Sequence, residues 1–185
     1  MNKLLRISAI IGLPFLLVSC GGKSTKEITL TFEPPSLPGG STTLDSYSEQ
    51  GFSFTGDLPT SFYHTDFGLK GRPYSDGAYL TVARYFTKLQ SDDSTPFTLK
   101  SVELAEYSTV FAYPQDITFN CYFSDGEYMP VTFSIDGVIN VDSPGDFEKF
   151  EFSDSCKNAI RVDITPMATI DNMVIEVPIN NETGA

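Results

Sequence analysis

The sequence predicts an all-β fold, an antiparallel two-sheet β-sandwich of jelly-roll type with about nine strands, on three observations. From Ile28 onward apolar residues alternate with polar ones, the period of a half-buried strand. The apolar runs are short, rich in aromatic and β-branched residues, and separated by turn signals. No segment keeps a helical period for three turns, and there is no internal repeat.

The elements follow in order. Ile28, Leu30 and Phe32 alternate with Thr29, Thr31 and Glu33, and Phe52 and Phe54 repeat the pattern after Gly51. Tyr79–Val82 is a short strand. Phe97, Leu99, Val102 and Leu104 mark a longer one, whose phase change near Lys100–Ser101 suits a β-bulge. Ile117, Phe119, Cys121 and Phe123 share one face, as do Val131, Phe133 and Ile135. Phe150 and Phe152, then Ile160, Val162 and Ile164, then the stretch Asn172–Val177 complete the set. Ser124-Asp125-Gly126 and Asp136-Gly137 read as tight turns, because Asp-Gly supplies the positive-φ residues that hairpins need. Pro34 to Gly40 is a loop, since Pro cannot donate to a ladder. Leu58 to Asp76 is the longest segment without a convincing strand.

Composition narrows the function classes. The chain has 185 residues, 41% hydrophobic and 13% aromatic, enough to bury the core of one domain. Twenty-four acids against 12 bases leave nothing to neutralise a row of phosphates, so no nucleic-acid partner is expected. One His and three scattered Cys are poor material for a zinc site. Nucleophile–base catalysis would need His64 beside a Ser, and no G-x-S-x-G elbow accompanies it. Acid abundance alone does not indicate a glycosidase pair. The chain is therefore not expected to be an enzyme.

The first residues carry an address. Lys3 and Arg6 precede an apolar stretch from Ile7 to Val18. That is shorter than the roughly 20 residues a spanning helix needs, and it has the dimensions of a signal-peptide h-region. Leu17-Val18-Ser19-Cys20 resembles the lipobox of bacterial lipoproteins. The resemblance implies cleavage after Ser19 and acylation of Cys20, and several acyl chains on one residue anchor stably. Residues 1–19 are then the signal peptide, 20–27 the lipidated Cys and a tether, 28–178 the β-sandwich, and 179–185 a polar tail. Cleavage removes Lys3 and Arg6 and no acid, leaving 10 bases and 24 acids, a formal −14. The tether from Gly21 to Glu27 reaches at most about 25 Å, which keeps the domain close to its membrane. Cys20 is followed by Gly21, not by the Asp that favours inner-membrane retention in enteric bacteria. The expected location is therefore the outer membrane.

The body also resembles a family. Ile28 to Glu33, Pro96 to Ser108 (PFTLKSVELAEYS), Ile117-Thr118-Phe119, Ser124-Asp125-Gly126, Phe147 to Phe152 and Ile170 to Val174 are similar, in order and spacing, to segments of extracellular bacterial jelly-roll domains. Many of those domains occur in proteins with a PEP-CTERM sorting signal. They are related in architecture to galactose-binding-like sandwiches and carbohydrate-binding modules. The resemblance implies a non-catalytic binding module for glycans or cell-envelope polymers. The alternative is a structural lipoprotein acting through an envelope protein.

Three groups of residues are candidates for function. The resemblance implies that Glu33 and Asp171, at the ends of the first and last strands, help hold a structural Ca2+; the alternative is a surface Glu and a turn-capping Asp. Calcium takes 6–8 hard oxygens, so two carboxylates would be only part of its shell. Cys121 and Cys156 are the thiols left once Cys20 is acylated, and an oxidising envelope favours their pairing. The alternative is two small buried thiols. Tyr63, His64, Asp66, Arg72 and Tyr74 put aromatic faces and charged groups in the long Leu58–Asp76 segment, the ingredients of a sugar site on a loop. The alternative there is a loop packing its own aromatics over a sheet edge, and the absence of Trp weighs against a sugar platform. Tyr107, Tyr113, Tyr122 and Tyr128 are further aromatic candidates.

Overall fold

The computed structural model describes residues 24–33, 41–65, 72–73, 75, 77–82, 86–139 and 146–179. Thirteen strands lie among them, all paired antiparallel, with one 3₁₀ turn at Thr109–Phe111 and no α-helix. One sheet runs β11 (Glu148–Glu151), β8 (Thr98–Ala105), β13 (Ala168–Pro178), β6 (Tyr79–Val82), β5 (Phe62–Thr65), β2 (Ser41–Leu44). The other runs β10 (Tyr128–Ile135), β9 (Gln115–Tyr122), β12 (Arg161–Thr165), β7 (Thr87–Ser91), β4 (Phe52–Gly56), β3 (Ser46–Glu49). β1 (Thr25–Leu30) joins the first sheet by pairing with the second half of β13.

The two sheets face one another across one apolar core, a β-sandwich. Leu80, Val82, Leu99, Val102, Leu104 and Ile175 from one sheet meet Phe52, Phe54, Leu89, Ile117, Phe119 and Ile164 from the other. The alternation read from the sequence is what fills this interior: Ile117, Phe119 and Cys121 are buried while Asp116, Thr118 and Asn120 point outward. Phe119, Phe133 and Phe152 meet at centroid separations of 5.0–5.9 Å with steep interplanar angles. Such edge-to-face pairs add about 0.5–1.5 kcal/mol each beyond the area they bury. The expected phase change in β8 is real: one step along β13, Val174 to Ile175, spans two along β8, Ser101 to Leu99.

The strand count exceeds the sequence expectation by β2, β3, β5 and β7. These are short strands, and Ser, Thr and Lys hold many of their outward positions, so their alternation is weak. β5 corrects the reading of Leu58–Asp76 as strandless: Phe62–Thr65 pairs with β6 on one side and β2 on the other. β1 begins at Thr25, three residues before the expected start, and Ser24 accepts a backbone bond from Ile179.

Cys121 and Cys156 form a disulfide with Cα atoms 5.5 Å apart, both fully buried. It ties the inward face of β9 to the turn between β11 and β12 across 35 residues. The signal peptide, Cys20 and residues 180–185 lie outside the described residues.

Candidate functional site

β5 divides the aromatic residues expected to bind ligand. Its side chains alternate, so Phe62 and His64 enter the core and Tyr63 faces out. His64 is fully buried. Its Nε2 bonds the carbonyl of Phe32, and its ring stacks on Tyr47 at 5.6 Å and 23°. A strand in place of the expected loop thus removes His64 from any external ligand. The polar network around it belongs to the interior: Glu49 accepts from the Phe32 N–H at 2.9 Å, the Thr31 N–H at 3.2 Å and the Tyr47 hydroxyl at 3.2 Å. These bonds hold Phe32 in the left-handed region, φ 57°. Burial, and then the Glu49 charge, push the Tyr47 hydroxyl far above its usual titration range.

Tyr63 is joined on the outside by Arg72 and by Tyr107. Ala105, Thr169, Thr81 and Tyr63 form one row across β8, β13, β6 and β5. The two Thr side chains bond one another at 3.2 Å, and Thr169 Oγ1 donates to the carbonyl of Glu106 at 2.9 Å. Small residues in this row let the segment after β8 lie over the sheet, so that Tyr107 reaches Tyr63, with ring centroids 6.3 Å apart. The Arg72 guanidinium lies 5.3 Å from the Tyr63 ring and 4.7 Å from the Tyr107 ring, and its Nη1 donates to the Tyr107 carbonyl at 2.9 Å. Phe111 meets the Tyr107 edge at 5.5 Å. Beyond it Val110, Phe111 and Tyr113 are exposed, Val110 by 82%. This surface offers fixed aromatic rings, an Arg donor and an apolar rim. Asp66 and Tyr74 lie outside the described residues.

A second aromatic row crosses the outer face of the other sheet. Tyr128, Tyr122 and Arg161 are register partners on β10, β9 and β12. The Tyr rings stack at 5.5 Å and 27°, and the Arg161 guanidinium sits 3.8 Å over Tyr122. Arg161 Nη2 donates to Asp163 Oδ2 at 3.0 Å; its Nε is also 3.0 Å from Oδ1 but off the hydrogen-bond angle, so that contact is one of charge alone. Burial of Asp163 raises its carboxyl despite the opposing pull of Arg161. Arg161 and Asp163 alternate with the core residues Val162 and Ile164, so the strand period places them on the outer face. Nothing in the sequence marked them as neighbours of Tyr122.

Glu33 and Asp171 meet where β1 and β6 abut along one edge of β13. β6 covers Ala168–Ile170 and β1 covers Met173–Pro178, leaving Asp171 and Asn172 at the junction. Ser75 Oγ donates to Asp171 Oδ2 at 2.7 Å, and the Asn172 N–H to Oδ1 at 2.8 Å. The Ala78 N–H donates to Glu33 Oε1 at 3.2 Å. Asp171 is 3% exposed, and its carboxyl is pushed up to about 7, first by burial, with the charges of Glu103 and Glu33 adding to the rise. The donor set is that of a hard cation, two carboxylates close enough to feel one another. Both are already engaged by N–H and O–H donors, so they would supply only part of a calcium shell.

Glu148 is half-buried and accepts the Asp136 N–H at 3.0 Å. No family model matches the sequence, and no curated protein is significantly similar to it.

Proposed function

We propose that this chain is a lipid-anchored, non-catalytic binding module of the bacterial cell envelope that holds a glycan or cell-envelope polymer at the Tyr63–Arg72–Tyr107 cluster. The observation that carries the reading is that Arg72 is packed against both Tyr rings while bonding the Tyr107 backbone. The rings are thereby held in place before a ligand arrives, which lowers the ordering cost of binding. Sugar C–H faces pack on such rings, and a guanidinium offers several donors to hydroxyls.

The jelly-roll form and the kinship with extracellular sandwiches of PEP-CTERM proteins belong to the same proposal. Their support is the connectivity: β7 to β8, β8 to β9, β11 to β12 and β12 to β13 each pass from one sheet to the other. Anchoring rests on Lys3, Arg6, the apolar stretch to Val18 and the lipobox-like run ending at Cys20. With β1 starting at Thr25, only Gly21 to Ser24 separate Cys20 from the sandwich, a reach of about 15 Å. The membrane proposed is the outer one.

A structural role through an envelope protein is the second reading, favoured by the exposed run of Val110, Phe111 and Tyr113 beside the cluster. A glycan array probed with the chain from Lys23 onward discriminates the two. Binding that is lost in Tyr63→Ala and Tyr107→Ala supports the glycan reading. Uniformly negative arrays, with both variants silent in envelope phenotypes, leave the structural one.

A further inference from the structure

We propose that Glu106, Asp136 and Glu148 form a calcium-binding site at the edge of the sandwich where β8, β10 and β11 meet. Glu106 follows β8, Asp136 follows β10, and Glu148 opens β11. β11 and β8 are neighbours in one sheet, with Glu148 opposite Leu104, whereas β10 is the edge strand of the other. The three carboxylates therefore converge from both sheets, and one ligand oxygen from each lies within 4.8 Å of the others. Oxygens about 2.3–2.6 Å from a common calcium sit at such separations.

Glu106 supplies the observation that points to an ion. It is 1% exposed. Its Oε1 accepts the Gly137 N–H at 2.6 Å, yet its Oε2 is buried with no hydrogen-bond partner. A buried carboxylate oxygen left unmatched is costly, and a cation removes that cost. None is provided by side chains: among the described residues no Lys, Arg or His pairs with these three acids.

The surrounding backbone holds the acids in place. Three successive N–H groups, of Asp136, Gly137 and Val138, donate to Glu148, Glu106 and Asp136 respectively, at 2.6–3.0 Å. Only glycine fits the middle position, because φ is 83° and a Cβ would come within 2.4 Å of Pro114 N and 2.5 Å of the Tyr113 carbonyl carbon. An all-carboxylate set with room for backbone and water oxygens suits calcium, which accepts 6–8 ligands in flexible geometry, better than magnesium. A bound ion would pin the β10–β11 crossing to the end of β8, one residue before Tyr107. The site stands independently of what the aromatic cluster binds.

The test is calorimetric titration and thermal melting of the full-length chain in detergent, stripped with EDTA and then supplied with CaCl2 to about 1 mM, the range of extracellular calcium modules. Wild type is expected to bind calcium and melt higher with it. Glu106→Gln is expected to fold, by far-UV circular dichroism, to melt in EDTA at or above wild type, and to bind calcium at least about tenfold more weakly, since affinity follows ligand charge. Asp136→Asn, at an exposed position, should show the same loss should Glu106→Gln fail to fold. Glu33→Gln should retain the response. A response that survives in Glu106→Gln and Asp136→Asn but disappears in Glu33→Gln places the ion at the β1–β13 junction and overturns the proposal. No response in wild type overturns it as well.

Discussion

Tyr63 and His64 are adjacent in β5 and both flat, but they belong to different chemistries. His64 is sealed among Tyr47, Phe32 and the Glu49 network, where every contact is internal. Tyr63 stands on the outer face against Arg72 and Tyr107, in a cluster whose rim is exposed. The period of a strand makes this division, since one residue step moves a side chain from one face of the sheet to the other. Interior aromatics should therefore carry stability, and the outer cluster should carry recognition at little cost to stability.

The largest test of that division is Phe54→Ala, which empties a fully buried position in contact with Phe32 and Tyr47. It is expected to cost about 3–5 kcal/mol in urea unfolding. Should Tyr63→Ala cost as much, Tyr63 is core and the outer cluster loses its special status. The disulfide comes next. Cys121→Ser combined with Cys156→Ser opens a 35-residue loop, and unfolding should become easier by roughly 3–4 kcal/mol. A double variant that melts like wild type would show that the bridge adds nothing to packing alone.

Asp171 tests the interior where it holds a charge. Its folded carboxyl releases the proton near 7, and its unfolded one near 3.8. The folded state keeps a proton that the unfolded state gives up, so this group's stabilisation is present below about pH 4 and lost as pH rises towards 7. The groups facing it are the acids Glu103 and Glu33 and the Ser75 hydroxyl. The stability of wild type relative to Asp171→Asn should therefore fall by roughly 2–4 kcal/mol between pH 4 and pH 8 in EDTA. A flat or rising difference contradicts the assignment. Calcium in place of EDTA flattens the difference if an ion sits on Asp171, because the carboxylate then stays ionised.

The smallest stability effects belong outside. Tyr107→Ala should shift unfolding by no more than about 1 kcal/mol, the size of a cation–π contact at an exposed site, while weakening any glycan binding at least about tenfold. Equal losses of stability and binding would erase the contrast between the two faces of β5.

Much of the sandwich was legible because it rests on alternation. Phe52 and Phe54, Ile117 to Cys121, and Val162 and Ile164 are in the interior as their spacing requires. Cys121 could be assigned inward by phase, and of the two alternatives, a bridge to Cys156 or two buried thiols, the structure has the bridge. The strands that escaped are short and rich in Ser and Thr: Ser41–Leu44 and Ser46–Glu49 are sheet edges, where one neighbour suffices and the pattern weakens. The outer cluster was half legible. Tyr63 and Arg72 were named, but Tyr107 reaches them only because a row of Thr lets the post-β8 segment cross the sheet. Glu106 carried no signal at all, since its meaning depends on Asp136 and Glu148 being drawn to it.

The sequence by itself determined the all-β class, the inward face of the long strands, the tight turn at Ser124–Gly126, and the expectation of an address ending at Cys20, whereas Asp136-Gly137, read as a second tight turn, keeps its positive φ on a crossing between the sheets. Each depends on local spacing or on a short run of residues, which the chain carries wherever it folds. The tertiary structure alone decided which face His64 takes, that Arg72 lies on Tyr107, that Asp171 holds its proton to about 7, and that three acids converge at Glu106. Those are properties of residues tens of positions apart, made neighbours by strand pairing and desolvated together. Burial and proximity, unlike alternation, have no period to read.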